Sequence, residues 1–195
     1  MRVYLAGPDV FLPDPVARGA TLKQICAAHG LVGVFPLDEL QGGDPPALDQ
    51  LALAYRIARR NELHIESCAA LIANLTPFRG PSADVGTVFE VGFMRALGRP
   101  VFGWSNVATG FATRTREFAG SDGTTDAAGL LIEDFGLTDN LMIEGGIAAS
   151  GGAFIAEAAA SDAIWQDLAG FERCVAAVAT WRPRKVTDHP IDPDL

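Results

Sequence analysis

Short apolar runs alternate with longer stretches of helical spacing along most of this chain, the βα rhythm of a mostly parallel sheet. The run over 3–6 reads as a strand that stops at Gly7-Pro8. Helical spacing covers about 15–29 and ends at Gly30, and LVGVFPL (31–37) reads as a second strand broken by Pro36. After a loop rich in glycine and proline (40–46), the pattern predicts a long helix over about 47–67. AALIANL (69–75) is continuously apolar, as expected of a central parallel strand buried on both faces. TPFRGPSA leads into a helix over about 84–97 closed by Gly98, and RPVFGW supplies a further strand. Between about 106 and 150 the pattern loosens into Gly, Thr and Ala, which reads as an insertion with short elements. Helical spacing returns over 153–181, with Phe154, Ile155, Ile164, Leu168, Phe171 and Val175 as expected core contacts. The tail after Pro183 reads as extended. No internal repeat and no low-complexity tract interrupts the rhythm.

A length of 195 residues, 49% hydrophobic and 20% charged, fits one soluble domain over 1–195 with a substantial core. The opening MRVYLAG goes straight into a strand, so no secretory leader is expected, and no uninterrupted apolar stretch approaches the length of a membrane span. Cys26, Cys68 and Cys174 are odd in number and lack CxxC spacing, which fits free thiols in a reducing cytoplasm. His29, His64 and His189 show no metal spacing, so no metal site is expected. A net charge of −9 argues against a nucleic-acid partner and leaves a small ligand as the easier fit. Neither GxGxxG nor GxxxxGK[ST] occurs, so a dinucleotide or Walker-type phosphate site is unsupported.

The most informative feature is Glu90, inside VGTVFEVGFM, where nearly every flank is apolar. An unpaired buried carboxylate costs on the order of several kcal/mol. Two readings stand: Glu90 edges onto solvent or a buried amide, or it is held in a pocket for nucleophilic or acid/base work. Its neighbours at i−4 and i−3, Gly86 and Thr87, are small and leave a ligand room to approach. Asp84, just before that helix, reads equally as an N-cap and as a second acid at the edge where α/β folds bind ligands. Two carboxylates in unlike environments are the usual equipment for breaking a glycosidic bond. Gly7 permits close backbone approach at the mouth of the first strand, and Tyr4 lies below that mouth, a core aromatic or a phenol serving the site.

Taken together, YLAGPDVF, LIANLTPFRGPSADVGTVFEVGFMRALGRPVF and DNLMIEGG resemble the nucleoside 2-deoxyribosyltransferases over most of 1–146. The resemblance implies a flavodoxin-like (Rossmann-like) α/β three-layer sandwich with a central parallel sheet. It implies Glu90 as nucleophile, Asp84 as the acid and base serving the nucleobase, and Tyr4 as the residue that orients Glu90. Asn140 resembles an asparagine that reaches a neighbouring subunit's site and binds the sugar 5′-hydroxyl, which implies a homo-oligomer with shared sites. Asn61 falls where some members carry an Asp that helps read the base. Phe11 and Phe78 are the aromatics against which the base should stack, beside Gly7 and Gly86. The implied partners are a 2′-deoxynucleoside and a free nucleobase, exchanged with retention through a deoxyribosyl-glutamate, with no cofactor. Nucleotide N-glycosidases of the same superfamily tend to carry a serine where Asp84 stands. A carboxylate there repels a 5′-phosphate. A hydrolase of the same fold and a non-catalytic nucleotide sensor are the competing readings.

Overall fold

The computed structural model describes residues 1–39 and 49–182. The predicted 40–46 loop, the first two positions of the helix predicted over 47–67, and the tail after Pro183 lie outside the described residues.

Five parallel strands, β1 (Arg2–Ala6), β2 (Val32–Val34), β3 (Ala70–Asn74), β4 (Val101–Ser105) and β5 (Phe154–Ala156), form one sheet in the order β2-β1-β3-β4-β5. That is the flavodoxin-like order, in which ligands bind where successive connections leave the sheet on opposite sides, here between β1 and β3. Period-two alternation explains the layering. From β1, Val3 and Leu5 face one side with Ile72, Phe102 and Trp104, covered by α1 (Pro15–Ala28) and α6 (Ala169–Thr180). Tyr4 and Ala6 face the other side with Leu71 and Ala73. There α2 (Gln50–Glu66), α3 (Val85–Ala96) and α5 (Leu141–Ala149) cover them through Ile65, Val91, Met94, Ile143 and Ile147. The result is the expected three-layer sandwich. Among the described residues no helix is long and apolar enough to cross a membrane.

Differences from the sequence pattern are local. The second strand is only Val32–Val34, because Pro36 has no N–H to extend the ladder. The helix expected over 153–181 is instead the edge strand β5, a run of turns, and α6. Phe154 and Ile155 are partly buried against opposite faces of the sheet, as a strand requires and a helix face does not. Phe171 and Val175 are core residues of α6, whereas Ile164 joins neither core cluster. Within 106–150 stand α4 (Phe111–Ala119) and α5. The second of these is the crossover from β4 to β5, with Ile143 and Ile147 buried one turn apart.

Gly152 sets the register of that edge. A Cβ there would lie 1.7 Å from the Val101 carbonyl oxygen, part of the adjoining backbone, which cannot move aside cheaply. Gly152→Ala should therefore lower unfolding stability by about 1–3 kcal/mol or more, the range for overpacked interiors. Urea denaturation checks this; an unchanged midpoint would mean that β5 shifts freely.

Candidate active site

The site is built at the C-terminal ends of β1 and β3. At the end of β1 the chain turns through Gly7 into a short 3-10 turn, Pro8–Phe11. Gly7 has φ 153°, and a Cβ there would meet the Asn74 Cβ at 2.7 Å and the Asp9 Oδ2 at 2.8 Å. Glycine is thus what lets the two strand ends close on each other. The Asn74 amide donates to Asp9 Oδ2 at 2.9 Å and its Oδ1 accepts from the Thr76 N–H. Asp9 is buried, and burial pushes its carboxyl up, against the Asn74 hydrogen bond and the Arg18 charge, which pull it down.

At the end of β3 the loop 75–84 carries the acid. Asp84 is the N-cap of α3: its Oδ2 accepts from the Thr87 N–H at 2.9 Å and from the Thr87 Oγ1 at 3.0 Å. A Cβ at Gly86 would stand 3.1 Å from that same oxygen, so Gly86 keeps the space beside Asp84 open. The cap fixes where α3 begins, and hence where Glu90 points. Tyr4, fully buried on β1, donates its hydroxyl to Glu90 Oε1 at 2.6 Å. Burial is the main force on Glu90, pushing its carboxyl up to about 7; the Tyr4 hydrogen bond opposes this and the Asp84 charge adds to it. Tyr4 is pushed up as well, first by burial and then by Glu90, with Arg60 opposing. A carboxylate held against a phenol, with a second carboxylate close enough to raise it, is an arrangement able to attack an electrophilic carbon and to manage a proton beside it.

Phe11 and Phe78 lie on the same edge and stack with ring centroids 5.3 Å apart at 11°. Trp165 meets Phe78 edge-on at 6.1 Å. Asn61, half-buried on α2, holds a buried Oδ1 with no hydrogen-bond partner among the described residues, and the Nε of the adjacent Arg60 is likewise buried and without one among them. Asn140 stands at the head of α5, next to Asp139. It caps α5, accepting from the Met142 N–H, and donates to Glu133 Oε2 at 2.7 Å. It lines an apolar cavity of about 510 Å³ between α3 and α5 with Val85, Val88, Phe111, Met142 and Ile143. Tyr4, Asp84 and Glu90 do not line that cavity. Among the described residues no cluster of His, Cys, Asp and Glu is grouped to hold a metal.

Sequence reasoning missed several residues. Arg79 and Trp165 stand with the predicted aromatics. Buried Asp139 accepts from the Ser82 hydroxyl and, at 3.1 Å, from the Ala83 N–H, next to Asp84. Arg114 donates to the carbonyls of Pro81, Thr109 and Thr138. Only the DN pair before LMIEGG carried a local hint of the Asp139 contact.

The comparisons with known proteins indicate that this α/β sandwich is a nucleoside-modifying enzyme. The nucleoside 2-deoxyribosyltransferase family model matches residues 3–142, and the chain belongs to that family. A 2-desoxiribosyltransferase from Leishmania mexicana is 34% identical, with a TM-score of 0.56 over 73% of this chain and 84% of its own. An uncharacterized protein of Schizosaccharomyces pombe is 32% identical over 166 residues, 77% of this chain and 78% of that protein. A conserved protein from Enterococcus faecalis shares the fold at 20% identity and a TM-score of 0.50, over 80% of this chain and 91% of its own.

Burial of Glu90 makes a testable demand on stability. Its carboxyl ionises near 4.5 when unfolded and near 7 in the fold, so its favourable contribution is complete below pH 4.5 and is lost as pH rises through 7. That displacement corresponds to about 3 kcal/mol. Glu90→Gln keeps an acceptor for Tyr4 but never ionises. It should match the wild type near pH 4 and exceed its stability by up to about 3 kcal/mol above pH 8. Chemical denaturation across that range checks it; parallel curves would show that Glu90 is not desolvated.

Proposed function

We propose that this chain is a nucleoside 2-deoxyribosyltransferase in activity as well as in family, exchanging the base of 2′-deoxyribonucleosides. The observation that carries the reading is the 2.6 Å bond from Tyr4 to Glu90, with Asp84 placed one and a half turns earlier on the same helix. In this reading Tyr4 holds one oxygen of Glu90 so that the other is presented to the sugar. Glu90 attacks C1′ of the deoxynucleoside. The C1′–N bond breaks with its electron pair leaving on the base, and Asp84 supplies the proton that the departing nitrogen takes up. The deoxyribosyl ester on Glu90 is then attacked by a second base, whose proton returns to Asp84. Two inversions give net retention. In this reading Phe11 and Phe78 supply a stacking surface, Asn61, whose Oδ1 has no partner among the described residues, would help read the base, and Gly7 and Gly86 keep the approach open. No step calls for a metal or an organic cofactor.

A nucleoside as substrate is favoured over a nucleotide because Asp84 and Glu90 place two acids at the site, which a 5′-phosphate would oppose. A hydrolase would share the first half of the mechanism, with water as acceptor. The test is intact-mass spectrometry with deoxyinosine and no acceptor base, followed by chromatography after a second base is added. A deoxyribosyl adduct should form on the wild type and be absent from Glu90→Ala, with exchange reduced by many powers of ten. Residual exchange of even roughly a tenth in Glu90→Ala would remove Glu90 from the mechanism.

The same reading takes the protein as a homo-oligomer with shared sites. Val85 and Met142 are strongly exposed apolar residues that line the α3–α5 cavity together with Asn140, and Phe89 is a further exposed apolar residue on α3. An isologous contact would cover that face. Mixing Glu90→Ala with Asn140→Ala after dissociation should restore activity, since some hybrid sites receive both wild-type residues. Mixed oligomers that stay inactive would show that each chain builds its own site.

A further inference from the structure

Arg79 has φ 56°, and it is the one non-glycine residue with positive φ among the described residues. An L side chain adopts that conformation at a cost, and such outliers concentrate at ligand clamps. Glycine follows directly at position 80, so the chain carries a residue suited to this conformation one place away from where it is needed. The Phe78 N–H donates to the Ser82 carbonyl at 3.0 Å, which closes the loop as a tight turn with Arg79 inside it. Arg114 pins the same turn at the Pro81 carbonyl. The outcome of this forced geometry is specific: the Arg79 guanidinium carbon lies 4.5 Å from the Phe78 centroid and 5.1 Å from that of Phe11. It therefore rests on the pair of rings that stack with each other at the mouth of β1 and β3.

The guanidinium is exposed, and among the described residues it makes neither a hydrogen bond nor an ion pair. The ring contacts engage the charge of the guanidinium and leave its N–H groups without a partner among the described residues. A planar cation on an aromatic platform, with its donors unclaimed, suits a flat ligand bearing acceptors on one edge. Arginine has no acceptor, so it discriminates between bases by what they present. A 6-oxopurine offers O6 and N7 side by side, the pair that arginine meets with two parallel hydrogen bonds. A 6-aminopurine turns an amino donor to the same place.

Resting on the transferase reading above, we propose that Arg79 is the base-reading residue of this site and selects 6-oxopurines over 6-aminopurines. The stack holds the donors in position before the base arrives, so less freedom is lost on binding. The strained turn sets their direction.

The test uses the full chain and three proteins: wild type, Arg79→Gln and Arg79→Gly. Binding of hypoxanthine and of adenine is measured by calorimetry, and cleavage of deoxyinosine and deoxyadenosine as kcat/KM. The wild type should favour hypoxanthine and deoxyinosine by about tenfold or more, the size of a bidentate preference. Arg79→Gln makes the same demand on the backbone but offers a donor and an acceptor, the pair that suits adenine. It should lose at least about tenfold on deoxyinosine and reverse the preference. Arg79→Gly relieves the strained φ, so it should hold or raise the melting temperature while losing selectivity. A ratio between the two purines that is near one in the wild type, or unmoved in Arg79→Gln, overturns the proposal. So does a fall in melting temperature for Arg79→Gly with selectivity intact, which would make Arg79 a clamp for the rings alone. If the wild type exchanges no base at all, the transferase reading fails, while the hypoxanthine-to-adenine binding ratio still decides the role of Arg79.

Discussion

The hydrogen bond from Tyr4 to Glu90 is the constraint on which the rest of this architecture turns. It joins the second-most central strand to a helix that begins at the strands' ligand-binding edge, and it exists only if several choices agree. Tyr4 must face α3, which the register of β1 against β3 ensures by pairing Tyr4 with Leu71. A slip of one residue would send it to the α1 side instead. Glu90 must leave α3 on its inner side without entering the core fully. Val91 and Met94 are fully buried in the core, while Glu90 is partly buried at its edge. Asp84 then fixes the first turn of the helix through Thr87, so the acid also acts as the structural stop that aims its partner.

Around this bond the loops are tied more tightly than loops of their composition require. Asp139 collects the Ser82 hydroxyl and Ala83 N–H from the segment before Asp84, while Glu144 accepts from the N–H groups of Thr138 and Asp139. Arg114 reaches three carbonyls on three segments and lies 3.6 Å from Asp139. A charge buried among hydrogen-bond partners is strongly committed, since removing any one leaves another unsatisfied. The loosely patterned stretch after β4 is therefore mechanically coupled to the position of Asp84. Asn106 ties the end of β4 to the turns before α6, donating to the carbonyls of Ile164 and Asp167.

What the sequence discloses and what it hides follow from the range of the interactions. Strands of continuous apolar residues, such as ALIAN in β3, are local signals, and so is a glutamate flanked by Phe89 and Val91 in a helical pattern. The Tyr4–Glu90 pairing became legible through family resemblance, because 86 residues separate the two. β5 escaped because three residues, FIA, carry too little pattern and sit before turns that mimic helical spacing. α5 escaped because Gly145 and Gly146 argue against a helix, although the packing of Ile143 and Ile147 overrides that propensity. Arg79 was invisible for a different reason. Its positive φ comes from loop closure between Phe78 and Ser82, and nothing in PFRGPS distinguishes a strained arginine from a solvated one.

Burial gives Glu90 two opposed properties. In the proposed mechanism a nucleophile sheltered from water protects the glycosyl ester, and a desolvated carboxylate is reluctant to ionise; hence its rise to about 7. The Tyr4 hydrogen bond lessens that reluctance but does not remove it, because the phenol is itself buried and shares the cost of desolvation. The Asp84 charge pushes in the other direction. An incoming base that draws a proton onto Asp84, or takes one from it, changes that charge and with it the readiness of Glu90. In the proposed mechanism the two acids are therefore coupled through electrostatics as well as through their steps. Glu90 is most easily ionised when Asp84 carries the proton that the leaving base needs, so the form competent for attack is also the form competent for protonation.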